Sequence, residues 1–129
     1  MAKINASCPH FLVNNLNTAL DYYVNVLGFE RPPLWGEPPS FAMPNRDGFM
    51  VMLNQSDEPP KPNGNGFWDA YFWCDDVDSL HSEFAGRGAL IEQGPVDRQL
   101  YGMREIEVRD IDGHVLAFAS DVPPEVTNG

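Results

Sequence analysis

Acids and rings stand at two-residue spacing in two segments that read as strands. Asp69, Tyr71 and Trp73 alternate in one, and Glu105 and Glu107 alternate in the other. Alternate strand residues share a face, so each set projects its chemistry to one side. Carboxylates on such a face attract a cation, and each aromatic face adds about 0.5–2 kcal/mol of cation–π attraction. In the first strand, Cys8, His10 and Leu12 share the same kind of face, as do Met50, Met52 and Asn54 later. His10 is there the side chain suited to moving protons near neutral pH. The methionines suit a lining that adapts to varied shapes. No Ser, Cys or Lys stands at a spacing that makes a nucleophile, and a buried thiol such as Cys8 is by default an inert packing group. His81 follows Leu80 on a helix and is expected to face solvent; His114 follows a hairpin turn and reads as structural.

The elements that must position these groups occur twice. Pro9 to Val13 runs into a cap at Asn15, then into Ala19, Tyr22, Tyr23, Val26 and Leu27 at helical spacing, stopped by Gly28. About 61 residues later, Asp69 to Cys74 enters Asp76, then Val77, Leu80 and Phe84, stopped by Gly86 and Gly88. Hairpins follow: Phe41–Met43 with Phe49–Leu53 around Asp47-Gly48, and Arg104–Val108 with His114–Ala119 around Asp112-Gly113. Those turns are offset by 65 residues. Each half is a βαβββ module. One domain over residues 1–129 is expected, with module one at 4–55, a Pro/Gly-rich linker at 56–66, module two at 67–121 and a loose tail at 122–129. About 60 residues alone make a marginal core, so the modules belong together. The opposite strand face (Pro9, Phe11, Val13; Phe49, Val51, Leu53; Ala70, Phe72, Cys74; Ile106, Val108; Leu116, Phe118) is apolar and suits the two helices. Val115, Ala117 and Ala119 complete the first face.

The 129 residues are 43% hydrophobic and 21% charged, with a net charge of −11. Residues 1–64 hold six acids and four bases, and residues 65–129 hold thirteen and four. Such a surface repels phosphate backbones and anionic lipid, which argues against nucleic acid and membrane partners. Cys8 and Cys74 form no CxxC and fall on opposite faces, so neither a zinc ribbon nor a disulfide is expected. With no apolar leader or span, the chain reads as cytoplasmic.

From Ile4 to about Asp121, the chain resembles the vicinal oxygen chelate superfamily of glyoxalases, extradiol dioxygenases, fosfomycin-modifying enzymes and bleomycin-resistance binding proteins. Asn15-Leu16 before the helix with Tyr22-Tyr23 and Leu27-Gly28-Phe29 is similar to the family's opening. Tyr101-Gly102-Met103-Arg104-Glu105 and Arg109-Asp110-Ile111-Asp112-Gly113-His114 are similar to its closing signature, with Ile111 and His114 in place of the usual Pro and Asn. The resemblance implies an α+β fold, two βαβββ modules forming a cupped sheet around a cavity, in a homodimer. It places Trp35 near the cavity mouth, where it covers a flat ligand or packs on a partner chain. It places the family's metal ligands on Cys8, Met52, Asp69 and Ala117, a set too poor in donors for zinc, iron, nickel or manganese. The expected function is therefore metal-free binding of an aromatic or cationic small molecule by His10, Trp35, Met50, Met52, Asp69, Tyr71, Trp73, Glu105 and Glu107, as in the bleomycin-resistance type. No cofactor and no catalytic residue are expected. Two other readings stay open: a metal-dependent lyase or dioxygenase with a non-standard ligand set including His10, and a non-catalytic partner or regulatory domain.

Overall fold

The computed structural model describes residues 1–124; the remainder of the expected tail, 125–129, lies outside the described residues. β1 (His10–Val13) leads into α1 (Leu16–Asn25), where Asn15 Oδ1 accepts the Thr18 N–H at 3.0 Å. Short strands β2 (Leu34–Trp35) and β3 (Phe41–Ala42) precede a hairpin tip of β4 (Asn45–Arg46) and β5 (Phe49–Met50), and β6 (Met52–Gln55) ends module one. Module two runs β7 (Ala70–Trp73), α2 (Val77–Gly86), β8 (Leu90–Arg98), β9 (Met103–Arg109) and β10 (Val115–Asp121). Asp76 caps α2 through the Ser79 N–H, the counterpart of Asn15.

Both modules build a four-stranded sheet of one topology, β1-β6-β3-β2 and β7-β10-β9-β8. The first strand of each lies parallel to the last. Phe11 faces Leu53 in one, and Phe72 faces Phe118 in the other. Those partners differ by 61 and 65 positions, so the internal repeat read in the sequence is also a repeat of strand register.

Phe11, Val13, Val51, Leu53, Ile106, Val108, Leu116 and Phe118 are buried on the helix-facing side. With Leu16, Leu20, Tyr23, Val77 and Phe84 they form one core spanning both modules. Each fully buried Leu or Phe contributes about 1.5–3 kcal/mol. Polar ties reinforce this seam. The Tyr22 hydroxyl donates to the Arg109 carbonyl at 2.7 Å and accepts the Leu90 N–H at 3.1 Å. Arg46 donates to Glu83 at 2.6 and 3.1 Å and to the Leu27 carbonyl at 2.6 Å. Helix α1 and the first hairpin are thereby fastened to module two of the same chain.

Two strand-face assignments need correcting. Phe49, expected among the core residues, is 66% exposed. The hairpin tip forms a separate two-stranded ladder, and the chain breaks alternation at Val51, whose N–H goes to the Pro44 carbonyl. Val115, Ala117 and Ala119 do not form an open floor but are buried, because β10 is central and its small residues lie flanked by β7 and β9 side chains.

Candidate functional site

Module two presents its chemistry on the face away from the helices. Ala117 stands opposite Tyr71 and Glu107, and Ala119 opposite Trp73 and Glu105. Small alanines leave room above β10 for the larger groups on either side. Trp68, Tyr71 and Trp73 form a continuous aromatic ramp, with ring centroids 4.7 and 4.9 Å apart and planes inclined by 58° and 59°. Such inclined contacts are favoured by the ring quadrupoles. Trp73, at the outer end, is 72% exposed.

Glu105 lies beneath this ramp, only 2% exposed. Its Oε2 accepts the hydroxyls of Tyr71 and Tyr101, each at 2.7 Å, and its Oε1 accepts Arg98 Nε at 3.2 Å. Burial, followed by the bond to Glu105, pushes both phenols above their ordinary range. Glu105 therefore anchors the ramp, and its charge is met by its own neighbours. Close approach of β8 helps: Gly94 sits at a register shift with φ +103°, where a Cβ would overlap the Glu105 carbonyl. Glu107 accepts the Trp68 indole N–H at 3.0 Å and remains partly exposed.

The other predicted residues are distributed as follows. Met50, Tyr71, Trp73 and Cys8 line one cavity of about 370 Å³, together with Phe49. His10 and Asp69 line a different one, of about 330 Å³, with Lys61, Asn63 and His114. Asp69 Oδ1 accepts the Asn63 N–H at 2.7 Å and Oδ2 the Val115 N–H at 2.8 Å, so this carboxylate pins the linker to β10. Met52 is half-buried opposite His10, whose ring lies 3.4 Å from Asn54 Nδ2. Trp35 rests against Phe41 on the edge of module one, 48% exposed and outside both cavities. A larger hollow of about 450 Å³ lies beside the hairpin tip, between Phe49, Trp73, Cys74 and Leu80, and shares its aromatic rim with the first cavity. The cysteines are free, and burial raises the Cys74 thiol.

Trp68, Arg98 and Tyr101 were not among the site residues expected from the sequence. Arg98 had a signal: it pairs with Met103 across the β8–β9 turn, which puts it on the face of Glu105. Tyr101 sits in that turn, and Trp68 precedes its strand, so alternation said nothing of either.

The metal positions of the family do not fit an ion in this chain. Ala117 is buried and has no donor, and both Asp69 oxygens are turned to backbone N–H groups. Among the described residues no three His, Cys, Asp or Glu side chains are grouped to hold a metal. Among the described residues no helix is long and apolar enough to cross a membrane.

Comparison with known proteins agrees with this architecture. Residues 7–118 match the Glyoxalase/Bleomycin resistance protein/Dioxygenase superfamily, and the chain belongs to that family. Among solved structures, TioX from Micromonospora sp. ML1 is 25% identical with a TM-score of 0.70, over 92% of this chain and 99% of its own. TnmS3, an antibiotic binding protein from Streptomyces sp. CB03234, is 22% identical with a TM-score of 0.72, over 95% and 99%. A glyoxalase-related enzyme from Clostridium phytofermentans shares the fold at 14% identity, with a TM-score of 0.73 over 94% and 98%. No curated protein matches the chain.

Proposed function

We propose that the protein binds a flat aromatic small molecule without a metal, in a cavity completed by a second copy of the chain. The observation that carries this reading is the Trp68–Tyr71–Trp73 ramp, held from below by Glu105 and open at Trp73. Exposed rings in a fixed array offer contact area without ordering cost, which is how aromatic anchors work in binding sites. The adjoining cavity of about 370 Å³ suits a small ligand, and Met50 gives it an adaptable wall. Aromatic character matters more here than cationic charge. Of the three carboxylates, Glu105 is matched by Arg98 and Asp69 lines the separate cavity of about 330 Å³, leaving Glu107 to meet a cationic or N–H group of the ligand. Trp35 and Trp73 are both exposed, on different modules, and a second copy would let each face the other's ligand. The binding function of TnmS3, of the same fold, agrees with this reading.

The test is a titration of the protein with planar aromatic compounds, neutral and cationic, followed by tryptophan fluorescence and calorimetry. Light scattering on the same sample reports the dimer, and elemental analysis of protein purified without chelator reports metal. Saturable quenching by planar compounds in a metal-free dimer is expected. A monomer, a stoichiometric metal, or no heat and no quenching with any planar compound would overturn the reading.

A further inference from the structure

The ramp leaves one preorganised polar group unused. Asp110 is 2% exposed, and donors converge on it: Oδ1 accepts the N–H groups of Asp112 and His114, both at 2.9 Å, and Oδ2 accepts the Tyr23 hydroxyl at 2.8 Å. The carboxylate acts as an acceptor throughout, so its 2.8 Å contact with His114 Nδ1 has the ring donating. In the neutral ring that bond selects the Nδ1–H tautomer, which leaves Nε2 an acceptor, the logic by which a buried Asp orients a working histidine. Phe11 stacks on the ring at 4.2 Å and 14°, which holds its plane. His114 is itself 2% exposed, yet Nε2 has no hydrogen-bond partner among the described residues. The sealed, unpartnered side-chain atom among the described residues is Arg109 Nε, so His114 Nε2 keeps contact with open space. His114 is among the residues that line the 330 Å³ cavity.

We infer that this cavity is a second ligand site, distinct from the aromatic ramp, for a free amino acid or a comparably small zwitterion. In the Nδ1–H tautomer, Nε2 accepts from a ligand that brings an N–H or O–H group. Asp69 lines the same cavity and, having accepted one N–H on each oxygen, keeps spare lone pairs for an ammonium. Lys61 and the His10 ring offer donors to a carboxylate. Among the described residues Lys61 is engaged only by exposed Glu58 at 3.2 Å, a surface pair that a ligand carboxylate can displace. One lysine and one aspartate balance the lining, which selects a ligand with separated charges over a simple cation or anion. Leu12 and Pro9 supply a small apolar wall, sufficient for a short side chain.

Long-range proton–nitrogen spectra of the imidazoles in the full chain test this directly. His114 is expected as the Nδ1–H tautomer, and glycine, alanine or serine should shift its Nε2 signal toward that of a hydrogen-bonded nitrogen. Acetate and methylamine, each with half of the charge pattern, should bind at least about tenfold more weakly, as should alanine to Lys61→Met, the loss expected for one charge-assisted hydrogen bond. An Nε2–H tautomer, a His114 signal that no amino acid moves, or equal binding of acetate or methylamine would overturn the proposal. The readout is His114 rather than tryptophan fluorescence, so it succeeds or fails separately from the ramp.

Discussion

Replacing Glu105 by glutamine is the sharpest probe of the ramp, because it keeps size and removes charge. The single amide oxygen can take the place of Oε2 and retain both tyrosines, but as neutral hydrogen bonds. A bond to a charged group is worth about 1.5–3 kcal/mol and a neutral one about 0.5–1.5, so two phenol bonds at 2.7 Å lose about 2 kcal/mol together. The contact with exposed Arg98 adds nothing to this sum. For a chain of this size the loss corresponds to a fall in Tm of about 8 °C, read by urea and thermal unfolding. Alkaline titration supplies a second readout. Tyr71 and Tyr101 have raised folded pKa values, so their contribution is fully present below the ordinary phenol value of about 10 and is lost as the pH rises above it. In Glu105→Gln the phenols should ionise nearer that ordinary value, and the alkaline loss of stability should be shallower. A variant within about 0.5 kcal/mol of the native chain, with an unchanged phenolate titration, would refute Glu105 as the anchor.

Trp73→Ala should leave stability within about 0.5 kcal/mol, since the ring is 72% exposed, yet weaken planar ligands about tenfold in fluorescence titration. Arg46→Met should cost about 2 kcal/mol in urea unfolding by cutting the tie between the first hairpin and α2. Arg46 also lowers the Glu83 carboxyl, so this pair contributes above the ordinary value of 4.5 and fades as the pH falls through the lowered one; the acid limb should flatten in Arg46→Met. Gly94→Ala should destabilise by more than about 2 kcal/mol, because positive φ and overlap with the Glu105 carbonyl act together, and it should also perturb the Tyr71 titration. Tyr23→Phe should cost about 1–2 kcal/mol, measured in urea, by removing a buried donor to Asp110.

The fold was legible because its evidence is local and duplicated. Caps at Asn15 and Asp76, apolar stripes and Asp-Gly turns each recur in both halves, and a repeat in sequence that returns as a repeat in register leaves little freedom for the sheets. Alternation also placed Tyr71, Trp73, Glu105 and Glu107 on one face. It fails where a strand stops being regular: at Val51, where Phe49 turns outward, and in the segments holding Trp68 and Tyr101, which reach the site from outside the ladders.

What alternation cannot state is who satisfies a charge. Asp69, Glu105 and Glu107 look equivalent as letters on one face, but hydrogen-bond partners separated by up to 46 positions give them three different roles. Asp69 is a loop clasp, Glu105 a buried post under the aromatic rings, and Glu107 the carboxylate still partly open. The same accounting redirects His114. As a residue after a turn it reads as structural, and its Nδ1 is so used; the convergence of donors on Asp110 is what supports the opposite nitrogen as an oriented acceptor. Acidity in the second half of the chain is therefore largely internal wiring. A ligand meets what that wiring leaves over: rings on one side, and one fixed imidazole nitrogen on the other.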